Sequence, residues 1–156
     1  MKDKLFDDIY NTYNKDVYRL AYSYVLNEQD AEDIMQKTFF KLYKSFEKIS
    51  NSSDDIKRWL FRVAINDCKD LLRTLKFKAF KSLNEEIVLN KSYSTKIDLF
   101  NILKNIPANY RIPLFLYYYE GYSINEISKI MKKSESSIKM SLSRGREKLK
   151  KEMEEN

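Results

Sequence analysis

Residues 123–149 read SINEISKIMKKSESSIKMSLSRGREKL, and this stretch decides the fold of the last third of the chain. Ser123 and Glu126 fit a capping box, in which the two side chains accept hydrogen bonds from free backbone N–H groups of the first helical turn. Ser134 can cap a second helix. Lys132 and Lys133 leave room for only a tight connection between the two helices. The segment is therefore predicted to be a helix-turn-helix.

Each of the two predicted helices carries one apolar stripe at steps of three and four residues. The stripes are Ile124, Ile127, Ile130 and Met131 in the first helix, and Ile138, Leu142 and Leu149 in the second. The opposite face of the second helix comprises Ser136, Ser137, Lys139, Met140, Ser143, Arg144 and Arg146. Short polar groups can approach base edges, and cations further along can bind phosphates. We interpret this face as DNA-binding; the alternative is a basic amphipathic helix that packs on a partner protein.

The first 75 residues are also predicted to form helices, because apolar residues recur at helical spacing over residues 5–25, 34–46 and 56–72. Asp30 is predicted to cap the second of these helices, and the polar run at residues 50–55 is predicted to be a loop. Further along, Pro107 suits the first turn of a helix, Pro113 should kink that helix or mark its true start, and Gly121 should end it. With two glycines and two prolines in 156 residues, the chain favours an all-α fold.

The segment between these halves, residues 76–96, has mixed polarity and weak periodicity. A structureless loop of that length is unusual inside one compact domain. We therefore predict two small helical domains, residues 1–75 and 97–156, joined by a flexible linker that could begin with a helical tail.

The net charge of +6 is unevenly distributed along the chain. Residues 1–56 carry 8 Lys or Arg and 11 Asp or Glu, a net of −3. Residues 57–83 and residues 132–151 each carry 8 basic and 2 acidic residues, a net of +6 each. Either island alone could be a solvated helix face, but two islands on helical patterns favour binding to a nucleic acid.

Several classes of site are excluded or disfavoured by composition. Cys68 is the only cysteine and the chain has no histidine, so an internal disulfide and a Cys/His zinc site are impossible. The sequence contains no glycine-rich phosphate loop and no nucleophile motif, which argues against an enzyme and against a cofactor. No apolar run approaches the roughly 20 residues of a membrane span, and the start lacks the apolar stretch of a signal peptide. The expected location is the cytoplasm.

Three segments together resemble one protein family. The runs IPANYR (106–111), EGYSINEI (120–127) and SIKMSLSRGREKL (137–149) look like domain 4 of the extracytoplasmic-function sigma factors. DAEDIMQKTF (30–39) resembles the polymerase-docking helix of domain 2 in that family. WLFRVAIN (59–66), followed by Asp70 and Arg73, resembles the helix of the same domain that faces the promoter −10 element. The motifs follow the family order and cover nearly the whole chain.

The resemblance implies that this chain is an alternative sigma factor, which binds core RNA polymerase at the β′ clamp helices and the β flap. It assigns Asp30, Asp33 and Gln36 to docking on the clamp helices, although acids in a first helical turn also act as simple caps. It assigns the −35 element to the recognition helix, and it places residues 50–55 where the family captures a flipped base. An anti-sigma factor is a further partner that the resemblance suggests, with no residue here that demonstrates one.

The same resemblance assigns one set of residues to the −10 element: Lys57, Arg58, Phe61, Arg62, Asn66, Lys69 and Arg73. The basic members supply cations for phosphates, and Asn66 is a candidate for reading a base. Trp59 falls on the apolar stripe and is expected in the core. Phe61 lies off that stripe and is expected to be an exposed aromatic. Cys68 is expected to be an inert core thiol.

Three other functions are alternatives, and each explains less of the sequence or differs in a property that can be tested. A stand-alone helix-turn-helix regulator that binds duplex DNA as a dimer explains the last third but leaves the first half without a role. An enzyme with a helical regulatory tail lacks a catalytic motif. A pure interaction module, such as a regulator of another sigma factor, would have basic islands that bind no promoter DNA.

Overall fold

A computed structural model of the chain describes residues 2–48, 53–81 and 102–155. These ranges contain helices and the turns between them, with no strand, so the predicted all-α class is confirmed for the part of the chain that is described. The chain divides into two compact units, Met1–Lys91 and Ser92–Asn156.

The first unit is built from three helices that pack on one another. They are α1 (Lys2–Val25), α2 (Glu28–Ser45) and α3 (Ser53–Lys81), with one 3-10 turn (Phe46–Lys48) after α2. Small and branched apolar residues fill the centre of the unit: Val17, Leu20, Ala21, Ala31, Leu42, Leu60 and Ala64 are at most 1% exposed. Phe6 and Tyr10 of α1 extend this core by packing edge-on against Phe39 of α2, at ring distances of 6.4 and 4.9 Å.

The beginning of α2 differs from the prediction. Asn27, not Asp30, is the N-cap: its side-chain oxygen accepts a hydrogen bond of 2.9 Å from the backbone N–H of Asp30. Leu26 has a φ of 57°, so the chain turns sharply between α1 and α2. A cap accepts from the N–H two or three residues later, which is why the asparagine three residues ahead of Asp30 takes this role and the aspartate lies inside the first turn.

The bounds of α3 also differ from the sequence prediction. The helix begins at Ser53, so residues 53–55 of the predicted polar loop are helical, and residues 49–52 lie outside the described ranges. Asp54 and Asp55 stand in the first turn, where carboxylates are stabilised by the free N–H groups. At its other end α3 continues to Lys81, through the first six residues of the segment predicted as linker. The rest of that segment, residues 82–96, lies outside the described ranges.

The second unit, as far as it is described, contains α4 (Ala108–Leu114), α5 (Ile124–Met131) and α6 (Glu135–Glu155). Pro107 precedes α4, and Pro113 lies inside it, so Pro113 does not mark the helix start. A π-helical turn (Phe115–Tyr119) follows directly. Proline has no backbone N–H, so Pro113 leaves the helical hydrogen bond to the carbonyl of residue 109 unmade. Gly121 then ends the helical run as predicted, with a φ of 75°.

Two contacts hold α6 and the segment before α4 in place. The guanidinium of Arg111, only 5% exposed, donates to the carbonyl oxygens of Ile106 at 2.7 Å and Leu103 at 3.5 Å. Gly145 of α6 lies against α4 so closely that a Cβ there would come within 3.0 Å of Leu114 Cδ1. The absence of a side chain at Gly145 therefore lets α6 pack directly on α4.

Candidate nucleic-acid interface

The helix-turn-helix has both of its predicted caps. Ser123 Oγ accepts from the Glu126 N–H at 3.1 Å, and the Glu126 carboxylate accepts from the Ser123 N–H at 3.3 Å, so the capping box is complete. Helix α5 ends at Met131, and the next residue, Lys132, caps it in a left-handed conformation with a φ of 54°. Ser134 Oγ accepts from the Ser137 N–H at 3.1 Å and starts α6. These hydrogen bonds fix where both helices begin and how tightly the chain turns between them.

Helix α6 has one buried and one exposed face. Ile138, Leu142 and Gly145 are buried and Leu149 is half-buried, so the predicted apolar stripe packs inward. The predicted DNA-binding residues lie on the other side: Ser136, Lys139, Met140, Ser143, Arg144 and Arg146 are exposed, and Ser137 is half-buried. The structure therefore brings all seven residues onto one surface of α6, which we call the recognition face.

Charge is arranged regularly across the recognition face. With 3.6 residues per turn, the centre of the face is occupied by Ser136, Met140 and Ser143, which follow one another at steps of four and three. Lys139 and Arg146 lie on one flank of this neutral centre, and Arg144 lies on the other. A surface with cations on both flanks can meet the two phosphate strands that border a major groove while its centre meets the base edges.

Sequence reasoning missed one aromatic residue beside this face. Tyr118, in the π-helical turn, is 60% exposed, and the Arg146 guanidinium carbon lies 5.9 Å from the centre of its ring. A cation over an aromatic face is attracted by the ring quadrupole. The ring therefore orients Arg146 on its flank of the recognition face. The only sequence signal was the tyrosine run at 117–119, which did not indicate which ring would meet a cation.

A second polar surface follows α3 in the first unit. Arg58, Arg62, Asn66, Lys69 and Arg73 succeed one another at steps of four, four, three and four, so they share one side of the helix; we call this the α3 stripe. Asn66 and Arg73 are exposed, and the other three are half-buried. Acids of the same helix pair with two of the cations: Arg58 with Asp55 at 3.4 Å and Arg73 with Asp70 at 3.5 Å. Exposed pairs of this kind are weak, so a phosphate can compete for both cations.

Two residues that the sequence assigned to this surface lie elsewhere. The Lys57 ammonium is directed towards α1, 3.9 Å from an Asp16 carboxylate oxygen and 5.5 Å from the centre of the Phe61 ring. Phe61 is 0% exposed, so its prediction as an exposed aromatic is wrong. The buried arc of α3 is wide enough to include both Leu60 and Phe61, and Trp59 falls at its edge. Trp59, expected in the core, is half-buried and borders the α3 stripe.

A third surface lies on α2 and carries the predicted polymerase-docking residues. Asp33 and Gln36 are exposed and Asp30 is half-buried, and the Gln29 side-chain amide donates to Asp33 at 3.1 Å. Phe40, which the sequence reasoning missed, is 60% exposed. It follows Gln36 by four residues and Asp33 by seven, so it continues the same face. The only sequence signal was the doublet of Phe39 and Phe40, whose side chains leave the helix about 100° apart, and it did not indicate which ring would be exposed.

One ion pair connects α2 to α3. Lys41 Nζ lies 2.8 Å from Asp67 Oδ1, whose side chain is 15% exposed. The packing of α2 and α3 on each other and on α1 sets the relation between the α2 face and the α3 stripe, and this pair adds to it. The next residue, Cys68, is buried as predicted, and its burial raises the pKa of the thiol, with a further rise from the Asp67 carboxylate. A thiol kept in its neutral form is unreactive.

The described residues contain neither a candidate metal-binding cluster nor a membrane-spanning helix. No cluster of acidic or cysteine side chains in residues 2–48, 53–81 and 102–155 could hold a metal ion. Among the helices of those ranges, none is long and apolar enough to cross a membrane.

Comparisons with known proteins agree with the resemblance seen in the sequence. Residues 9–77 match the family model for sigma-70 region 2, and residues 97–149 match the model for sigma-70 region 4. The ECF RNA polymerase sigma factor SigM of Bacillus subtilis (strain 168) is 34% identical over 152 residues, which cover 92% of this chain and 92% of that protein. The RNA polymerase sigma factor SigV of the same organism is 31% identical over 137 residues, 85% of this chain and 81% of that protein.

A solved structure has the same fold. The sigma factor RpoE from Bartonella quintana, crystallised with the anti-sigma factor NepR, superimposes with a TM-score of 0.79 at 22% identity. The match covers 99% of this chain and 98% of that chain.

Proposed function

We propose that each of the two units of this chain makes a separate promoter contact, because the chain belongs to the extracytoplasmic-function group of the sigma-70 family of RNA polymerase sigma factors. The chain is an alternative sigma factor: it binds core RNA polymerase and directs promoter-specific transcription initiation. The observation that carries the proposal is the presence of one cationic helix face in each unit, on α3 and on α6. In this proposal residues 1–75 and 97–156 act as the two promoter-binding domains and residues 76–96 link them.

The second unit is the one suited to duplex DNA. The recognition face presents uncharged side chains at its centre and cations on both flanks, which fits insertion of α6 into the major groove of the −35 element. The residues proposed to contact DNA are Ser136, Ser137, Lys139, Met140, Ser143, Arg144 and Arg146.

The first unit is proposed to bind the −10 element through the α3 stripe. Arg58, Arg62, Lys69 and Arg73 neutralise phosphates, and the exposed amide of Asn66 is available to a base edge. Lys57 and Phe61 are left out of this contact, since one pairs with α1 and the other is core. Trp59 borders the stripe, so it takes the place of Phe61 as the aromatic that is available to an unpaired base.

The α2 face is proposed to dock on the polymerase clamp helices. Carboxylates on a solvent-exposed helix face can pair with basic side chains of a partner, and an exposed ring beside them adds apolar contact. Asp33, Gln36 and Phe40 are the strongest candidates because all three are exposed on this face. The proposed activity is purely that of binding, with no catalytic step, and its place is the cytoplasm, where polymerase and promoter DNA meet. An anti-sigma factor stays a prediction.

Run-off transcription tests this function. Core polymerase with and without the chain is given a library of genomic fragments, and the start sites are mapped. We expect new start sites that share an upstream and a −10 sequence only when the chain is present. A chain that forms dimers, binds duplex DNA and ignores polymerase would instead be a stand-alone regulator.

Docking is tested by charge reversal. Asp33→Arg should abolish co-purification with core polymerase and leave the helical content unchanged, because Asp33 is exposed. The matched control is Asp8→Arg, which reverses an exposed charge on α1 and should co-purify normally. If Asp33→Arg still co-purifies like the control, the α2 face is not the docking surface.

A further inference from the structure

Met140 is an apolar side chain at the centre of a polar surface. It is 54% exposed and occupies the middle of the recognition face, one turn after Ser136 and one turn before Ser143. A single exposed apolar residue is common on protein surfaces. The meaning of Met140 therefore depends on what surrounds it.

The surroundings of Met140 fit a nucleic acid better than a protein. Lys139, Ser143 and Arg144 adjoin it and are all exposed, so no continuous apolar patch is available to a protein partner. The cations on both flanks of α6 would instead lie over the two phosphate strands of a duplex. The central side chains, Met140 among them, would then face the edges of the bases.

Base chemistry narrows the target of Met140 to one group. In the major groove the bases present hydrogen-bond donors and acceptors, and thymine alone adds an apolar group, its 5-methyl. A methionine side chain is unbranched, flexible and polarisable, so it adapts readily to such a contact. Ser136 and Ser143 can donate to or accept from any base and discriminate less. An apolar side chain at the centre of the face thus has one matching partner in the groove.

We infer that Met140 contacts the 5-methyl group of a thymine in the upstream promoter element and is a specificity-determining residue of this sigma factor. The inference rests on the proposed function, because it takes α6 as the helix that enters the major groove. It predicts that part of the promoter preference depends on a methyl group and not on a hydrogen bond.

The test replaces thymine by uracil, which lacks only that methyl group. Holoenzyme assembled from core polymerase and the chain is offered promoter duplexes from the mapped start sites, each with one upstream thymine replaced. At one position we expect the wild type to bind about fourfold more weakly, the factor that corresponds to one unburied methyl group. Met140→Ala should bind the thymine duplex more weakly than the wild type does, by at least that factor because it removes more apolar surface than one methyl group, and it should show no further loss with uracil at that position.

Two control variants sharpen this result. Met140→Leu keeps an apolar side chain and should retain the methyl dependence. Met153→Ala removes a methionine of the same helix that is 59% exposed and lies outside the recognition face, and it should behave as the wild type does.

Several outcomes would overturn the inference. Uracil could have no effect at any upstream position, or it could weaken Met140→Ala as much as the wild type. If Met140→Ala reduced co-purification with core polymerase and left DNA affinity intact, Met140 would be a protein contact. Failure of the proposed function would appear earlier, as the absence of promoter-specific start sites. If promoter-specific binding occurs but does not depend on a thymine methyl group, the inference about Met140 is overturned and the proposed function stands.

Discussion

Removal of two cations from the recognition face should change how promoter binding responds to salt. Arg144 and Arg146 are exposed on opposite flanks of α6, so each can neutralise a phosphate of a different strand. Each neutralised phosphate contributes about 0.9 to the slope of log affinity against log salt. The variant Arg144→Ala with Arg146→Ala should therefore have a slope smaller by about 1.8.

This slope change has a measurable consequence for affinity. Between about 50 and about 200 mM salt, the wild type should lose about 12-fold more affinity than the double variant. The assay is competition binding of the holoenzyme to a promoter duplex at several salt concentrations. Binding should weaken equally on promoter and scrambled duplexes, because phosphate contacts carry no sequence information.

A matched control separates this effect from a general loss of charge. Lys4→Ala with Lys15→Ala also removes two exposed cations, both from α1 of the first unit. That variant should keep the wild-type slope. A double arginine variant with an unchanged slope, or a lysine control with the same change, would refute DNA contact through α6.

Two further predictions concern the first unit. Phe61→Ala should lower the free energy of unfolding by about 3–5 kcal/mol, because the ring is fully buried, and Trp59→Ala should lower it by less. Urea unfolding followed by circular dichroism measures both values. A Phe61 variant of normal stability would contradict the core assignment. Stability should also fall above about pH 8.5 by about 1.4 kcal/mol per pH unit, because the raised pKa of Cys68 leaves the folded thiol neutral while the unfolded thiol ionises. The stabilisation by the neutral thiol is fully present below the pKa of the unfolded thiol and is lost as the pH rises above it. Cys68→Ala should therefore flatten the plot of unfolding free energy against pH up to about pH 10, where tyrosines begin to ionise. An equally steep plot for that variant would contradict the prediction.

The helix-turn-helix could be predicted in detail because its signals are local. A capping box needs only Ser123 and Glu126 three residues apart, and the cap at Ser134 likewise acts on its own first turn. The apolar stripes of α5 and α6 have a single clear period. For these elements the local sequence alone predicts the capping hydrogen bonds and the buried face, because neither depends on the rest of the chain.

The errors in the first unit arise where tertiary packing decides. Helix α3 packs on both α1 and α2, so its buried arc is wider than one stripe and takes in Phe61 while Trp59 remains at the edge. Asn27 and Asp30 are both good caps, and only the position of the turn at Leu26 selects the asparagine. Phe40 and Tyr118 were missed because exposure of an aromatic ring depends on neighbours that are distant in sequence.

The central claim is that the first unit contacts the −10 element while the second contacts the −35 element of one promoter. Cys68 is buried and its thiol is neutral, so an added exposed cysteine can be labelled selectively with a DNA-cutting iron chelate. Asp70→Cys lies next to the α3 stripe, and Lys133→Cys lies in the turn before α6; both positions are exposed.

The holoenzyme carrying each labelled variant is bound to a mapped promoter, and the cut positions are read. We expect the chelate on residue 70 to cut at the −10 element and the chelate on residue 133 to cut at the −35 element. Cuts at a single shared site, or from only one of the two variants, would contradict the assignment of one promoter contact to each unit.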